Sequence, residues 1–234
     1  MSRTTHSMKA GAKDVAPIIL GIVPFGLVTG AAVASAGFGV AEALGMSVLV
    51  NAGASQLAAT LLYTEGASLV VAAVTALIIN ARMFIYATSL APVITPTAGR
   101  LRPFLGHALI DQSYTATMIY GRHREDVDVV WYYIGSWLCL ASVWQVTNVI
   151  GVLAGSFIPA EWALDFTVPL VFLAMLAPTL VKRIEAEVAA ATAVAAALLV
   201  PLMPLQTGLP AAIVFGMVWG AVRKPGRKRE EDAA

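Results

Sequence analysis

Charge is scarce in this chain. Lys, Arg, Asp and Glu together make up 12% of its 234 residues, against roughly a quarter in an ordinary soluble domain. So few charges cannot cover a water-facing surface. Nothing ionises at neutral pH between Asp14 and Glu42, Glu42 and Glu65, Asp128 and Glu161, or Glu187 and Arg223. Each interval is long enough to cross a hydrocarbon core, which takes about 20 apolar helical residues. Cysteine is nearly absent as well: Cys139 stands alone, which excludes an intramolecular disulfide and any multi-cysteine metal site. The three histidines, His6, His107 and His123, lack metal-ligand spacing. There is no GxxxxGK[ST] phosphate loop, no HExxH and no GxSxG, so the residues give no nucleotidase or hydrolase to read, and no cofactor is expected. A net charge of +1 gives no argument for nucleic acid.

What the chain has in abundance is apolar sequence, 59% of it. The periodicity predicts an all-α, polytopic integral membrane protein in a single transmembrane domain, with helical segments at about 15–36, 44–64, 67–91, 105–120, 131–157, 163–181, 187–204 and 209–222. The count is seven or eight, because 105–120 looks short for a crossing. An eight-crossing chain keeps the N-terminal cations with Arg122 and Arg124 but leaves Arg100 and Arg102 on the other side; a seven-crossing chain reverses this. The membrane region runs from about 14 to 222, and the tail beyond it, with Arg223, Lys224, Arg227, Lys228 and Arg229, is expected in the cytoplasm. Ala34-Ser35-Ala36 resembles a signal-peptidase site, but the run before it is too long and too interrupted by Pro17 and Pro24 for a signal peptide. It reads as the first transmembrane helix.

Helix breakers fall inside several segments: Pro24, the Gly53-Ala54-Ser55-Gln56 stretch, Pro169 and Pro178. Broken helices at membrane depth are the usual construction of transporter sites. GxxxG motifs at Gly26–Gly30, Gly151–Gly155 and Gly216–Gly220 point to close helix contacts, more readily internal than between subunits. Trp131, Tyr132, Tyr133 and Trp137 suggest an interfacial aromatic belt. A faint repeat aligns 37–44 with 156–163.

The residue that stands out is Arg82, a guanidinium in the otherwise apolar Ile78–Tyr86 stretch. Such a charge costs at least about 2.5–3.5 kcal/mol to insert and so marks function and calls for a partner. Asp111, Asp165 and Glu65 are the candidates. Asp165, near the start of its span, also fits a plain helix-terminal carboxylate, and an Arg82–Asp111 pair also fits a permanent structural bridge. Asn51, Ser55, Gln56, Asn80 and Gln112 supply further polar groups at depth. Asn80 and Arg82 line one cavity only if the helix unwinds around Ala81. An amino-acid zwitterion would find carboxylate donors at half-helix N-termini around Pro24 and Gly53 with Arg82, and ammonium acceptors at Asp111 with Asn80 or Gln56. A passive pore for small zwitterionic solutes fits the same residues.

Gly21-Ile22-Val23-Pro24-Phe25-Gly26, Ala52-Gly53-Ala54-Ser55-Gln56, the stretch Asn80 to Pro92, Leu109-Ile110-Asp111-Gln112 and Leu164-Asp165-Phe166 together resemble the AzlC family, large subunits of bacterial branched-chain amino-acid exporters of the LIV-E type. The resemblance implies an inner-membrane exporter of leucine, isoleucine, valine and methionine, driven by protons and working with a small AzlD-type subunit. Two departures stand beside the presumed site. Gln112 follows the Asp where the family often has Glu, and Met83 follows the Arg where it often has His.

Overall fold

A computed structural model describes residues 2–155, 183–203 and 207–223, and among these every regular element is helical. The helices are α1 (Arg3–Val15), α2 (Ile19–Ser35), α3 (Val40–Val50), α4 (Gly53–Thr64), α5 (Leu69–Asn80), α6 (Arg82–Ala98), α7 (Arg102–His107), α8 (Asp111–Ile119), α9 (Val129–Gly155), α10 (Arg183–Leu202) and α11 (Gly208–Val222). Four stretches are long and apolar enough to cross a membrane: Arg3–Ser35, Leu69–Ile94, Val129–Gly155 and Arg183–Leu202. The segment expected at 163–181, with Asp165, Pro169 and Pro178, lies outside the described residues, as does the second copy of the faint repeat.

The frame is a parallel pair. Helices α1 and α2, joined by a 3-10 turn at Ala16–Ile18 that holds Pro17, run alongside α9 in the same direction. At one end the Asp128 N–H donates to Ser7 Oγ (2.8 Å). Toward the other, a Cβ on Gly30 would collide with the Asn148 carbonyl, and one on Gly151 with the Leu27 carbonyl. Backbone touches backbone there, so the first two GxxxG motifs serve internal packing. The third does the same: Gly216 faces Thr192 of α10, and Arg223 pairs with Glu187 (3.0 Å) across the α10–α11 hairpin.

Between the two members of the frame lies the departure from expectation. The 44–64 segment is not one span but a hairpin that enters and returns. Its arms meet where Ser47 Oγ donates to Gln56 Oε1 (2.9 Å) and where the rings of Phe38 and Tyr63 lie tilted against each other, their centroids 4.9 Å apart. Its turn is Asn51, in the left-handed region at φ 49°, a conformation that a short amide side chain tolerates better than most. Phe38 and Ala43 pack with Val33 and Val152, so this hairpin opens at the end where α2 and α9 finish.

The 105–120 segment also returns. Ala98, just before it, shares a core cluster with Val130 and Tyr133, and Gly121, just after it, lies against the Tyr132 ring. Both ends of α7–α8 therefore sit where α9 begins. The two hairpins enter from opposite ends, and their tips meet: the Asn51 side-chain amide donates to the His107 carbonyl. Neither the seven- nor the eight-crossing arrangement anticipates two returns. Tyr132 and Tyr133 are likewise not belt residues. Both are fully buried, with Tyr132 O–H donating to Asp14 (2.8 Å) and Tyr133 O–H to the Ala108 carbonyl (2.8 Å).

These returns sort the charges. Arg3 donates to the Glu125 carbonyl (3.2 Å), Arg124 pairs with Asp126 (2.7 Å) and Asp14 (3.5 Å), and His6 meets Asp126 at 3.0 Å. Arg100, in the α6–α7 connection, and Arg102, which opens α7, lie at this same end. Residues 36–68, which form both loops at the opposite end, contain Glu42 and Glu65 but no lysine or arginine. Hydrogen bonds from Arg124 and then His6 hold the Asp126 carboxyl well below the usual carboxylate range, and the Asp126 hydrogen bond raises Arg124.

Candidate functional site

Where the hairpin tips meet, a cavity of about 130 Å³ opens. That is close to the ~150 Å³ apolar cavity that admits benzene, and far above the room one water needs. Its wall on α9 is Leu140, Ala141, Trp144 and Gln145. With 27 residues, α9 is about 40 Å long, and these four fall near its middle. Ile22 and Phe25 of α2 complete the apolar side. The Phe25 and Trp144 rings stand 5.3 Å apart, and Gly53 packs so closely on both that a Cβ there would strike them.

Two helices open at this cavity after an extended residue: α4 at Gly53 after Ala52, and α8 at Asp111 after Ile110. Neither has a side-chain cap, so first-turn N–H groups and the positive ends of both helix dipoles gather around one space. Helix α6 follows α5 across the single helical residue Ala81 and brings Arg82 to the wall. The α8 dipole favours a carboxylate at its own start, where Asp111 stands.

Arg82 Nη2 and Asp111 Oδ2 are 2.9 Å apart, with the two side chains 37% and 33% exposed. Each nonetheless keeps one buried atom without a partner, Arg82 Nε and Asp111 Oδ1, and Gln145 Oε1 is in the same position. A buried unsatisfied polar atom costs about 1–3 kcal/mol. What the cavity offers an occupant is the exposed third of each side chain, a guanidinium beside a carboxylate, which suits a ligand carrying charges of both signs.

The other residues singled out in the sequence divide. Asn51, Gly53 and Gln112 line the cavity with Arg82 and Asp111. Gln56, fully buried, instead accepts from Ser47 and donates to Asn148 Oδ1 (3.1 Å), tying α4 to α3 and α9. Ser55 Oγ donates to Asn80 Oδ1 (2.5 Å), and Asn80 Nδ2 donates to the Val50 carbonyl (3.0 Å), which pins α5 to the break before Gly53. The interruption at Ala81 is a single residue still in right-handed helical geometry. Asn80 and Arg82 therefore diverge, and only Arg82 reaches the cavity wall. Helix α2 passes through Pro24 unbroken, so no helix begins there, and Pro24 lies exposed away from the cavity. Glu65 sits in the α4–α5 turn, at the end of the hairpin away from its tip. Asp165 lies outside the described residues.

Trp144 and Gln145 escape a reading of the sequence. The signal that was available for Gln145 is an amide in a 32-residue charge-free interval, but a second amide, Asn148, and Thr147 beside it blur which polar side chain faces the site. Among the described residues no three His, Cys, Asp or Glu side chains come together as a metal site.

Known proteins resemble this chain over most of its length. An uncharacterized membrane protein of Helicobacter pylori strain J99 is 29% identical over 175 residues, covering 73% of this chain and 76% of its own. Inner membrane protein YgaZ of Escherichia coli is 29% identical over 222 residues, covering 91% of this chain and 87% of its own. An uncharacterized membrane protein of Archaeoglobus fulgidus is 29% identical over 171 residues, 71% of this chain and 73% of its own. No solved structure matches. The family model described as AzlC protein matches residues 17–158, which hold both hairpins, the Arg82–Asp111 pair and all of α9, and the chain belongs to the AzlC family of membrane proteins.

Proposed function

We propose that this chain is the large subunit of a secondary exporter that carries branched-chain amino acids, with methionine at the edge of its range, out across the bacterial inner membrane. The observation that carries the reading is the Arg82–Asp111 pair at mid-span, 2.9 Å apart and each about a third exposed, on the wall of a cavity whose opposite wall is apolar. A zwitterion fits both demands. Its carboxylate meets Arg82 and the first turn of α4, and its ammonium meets Asp111. Its aliphatic side chain lies against Ile22, Phe25, Leu140 and Trp144. An apolar wall separates side chains one methylene apart by only about 1–3 kcal/mol, so leucine, isoleucine and valine share the site.

The cation-rich end, with Arg3, Arg100, Arg102, Arg122 and Arg124, is the cytoplasmic one by the positive-inside rule. On that orientation α7–α8 enters from the cytoplasm and α3–α4 from outside, so the substrate sits between two thin plugs. Among the described residues Asp111 is the one carboxylate on the cavity wall, and it is the group that takes the coupling proton. A small hydrophobic AzlD-type subunit completes the transporter. That the E. coli relative is called an inner membrane protein agrees with the location.

The test is efflux of radiolabelled leucine, valine, methionine and lysine from bacteria expressing the chain with and without the small subunit, with the proton gradient intact or collapsed. Export of the aliphatic substrates alone, dependent on gradient and partner, is expected. Unsaturable leakage of all four, indifferent to the gradient, would make the protein a passive pore.

A further inference from the structure

We infer that Trp144 is the size gauge of the cavity: its ring ends the apolar wall along which a substrate's side chain lies, so the site takes aliphatic amino acids up to the size of leucine and refuses aromatic ones. The inference rests on the amino-acid reading above and names the residue that sets its range. Trp144 is half-buried and lines the cavity with Phe25 and Gly53. The two rings tilt at 55° to each other, their centroids 5.3 Å apart. Both press on Gly53, where a Cβ would strike the far edge of the indole and the edge of the Phe25 ring.

A wall measures size only if it cannot retreat. Phe25 is packed against Ala32 and the fully buried Leu57, and Trp144 leans on it. The backbone at Trp144 is held as well. Thr147 Oγ1 donates to the Val143 carbonyl (2.9 Å) and lies 3.1 Å from the Trp144 carbonyl, and the Thr147 side chain fills the place where Gly26 of α2 has no Cβ. Helix α9 therefore has no room to move toward α2 at this level. Interiors packed this closely resist the shifts that a larger occupant demands.

Gly53 fixes where the measurement starts. It is the first residue of α4, whose N–H groups favour the ligand's carboxylate, and it is also the surface on which Trp144 rests. The anchored end of the substrate and the end of the apolar wall are thus tied to one residue, and the reach of the indole sets the space between them. A shorter side chain at position 144 enlarges that space. A Cβ at position 53 reduces it, because Ala32 and Leu57 already occupy the ground behind Phe25 and the rings yield toward the cavity they line.

The experiment measures binding of radiolabelled leucine to the purified full chain in lipid nanodiscs, competed by unlabelled alanine, valine, leucine or phenylalanine. Wild type is expected to bind phenylalanine at least about tenfold more weakly than leucine. In Trp144→Leu the phenylalanine-to-leucine affinity ratio should rise about tenfold, and in Gly53→Ala the leucine-to-alanine ratio should fall about tenfold, as methylene-sized changes of an apolar pocket do. Trp144→Phe, a milder truncation, should move the phenylalanine ratio in the same direction and decides the matter if the leucine variant fails to fold. Equal wild-type affinity for phenylalanine and leucine, a phenylalanine ratio unmoved by truncation at 144, or a leucine-to-alanine ratio unmoved in Gly53→Ala would overturn the gauge while leaving the exporter reading intact. No saturable leucine binding by wild type would overturn both.

Discussion

At the scale of single residues the site is held by electrostatics more than by packing. Arg82 and Asp111 are each about a third exposed, so their pairing contributes to stability as a partly solvated bridge does, by about 1 kcal/mol or less. On the exporter reading, function is expected to depend on them more steeply. Arg82→Lys retains the charge but loses the planar fork that can hold Asp111 and a ligand oxygen at once. It is expected to be produced at wild-type level and to export leucine at least about tenfold more slowly. Asp111→Asn removes the carboxylate proposed to carry the proton and is expected to abolish gradient-driven export while thermal stability in detergent stays within a few degrees. Full activity of either variant at normal expression would move the site elsewhere. Both residues were legible in the sequence because an isolated charge in an apolar run is expensive and therefore conspicuous. Gln145 was not, since an uncharged amide costs less and its facing depends on how α9 turns against α8.

The elements repeat this division between what composition reveals and what only packing decides. Breakers near Gly53 announced a break, and the structure puts it two residues earlier, at Asn51. Whether a broken segment crosses or turns back was hidden, because about 20 apolar residues suit either outcome. Asn51 makes the choice through its left-handed backbone and its bond to His107, which predicts a graded pair. Asn51→Gly should keep the turn and lose only the tie between the hairpin tips, speeding leucine leakage without loss of stability. Asn51→Ala should also pay about 1–2 kcal/mol of backbone strain, read as a lower melting temperature in detergent. At the parallel frame, Gly30→Ala drives a methyl into the Asn148 carbonyl and Val152, where only backbone can yield, and should destabilise by about 1–3 kcal/mol. The α1 tether carries a pH sign. A carboxyl depressed in the folded state, as in Asp126, contributes above its unfolded value of about 3.9 and loses that contribution as pH falls through the folded value. A nitroxide on Lys9→Cys, in a Cys139→Ser background, should hold its mobility from about pH 8 to 5 and loosen only in stronger acid.

For the molecule as a whole, the two hairpins settle a conflict that the charge pattern posed. If 105–120 crossed the membrane, Arg100 and Arg102 would face away from Arg122 and Arg124, against the tendency of cations to collect in the cytoplasm. With 105–120 returning and 44–64 returning from the other side, every described lysine and arginine from Arg3 to Arg124, except Arg82, collects at one end, while Glu42 and Glu65 stand at the other. The hairpins also give the central cavity its thinnest barriers, because each side is closed by a short helix pair and not by a full-length helix. Single cysteines in the Cys139→Ser background test the arrangement directly with a membrane-impermeant maleimide. Arg100→Cys and Arg122→Cys should both resist the reagent in intact cells and react in inverted vesicles, whereas Glu65→Cys should do the reverse. The decisive comparison is position 100 against position 122. Labelling from opposite faces would require α7–α8 to span the bilayer, which would separate Ala98 from the start of α9 and pull the His107 carbonyl away from Asn51. Labelling from one face, with Glu65→Cys on the other, would leave Asp111 and Asn51 where the structure has them, at the tips of two hairpins that meet from opposite sides of the membrane.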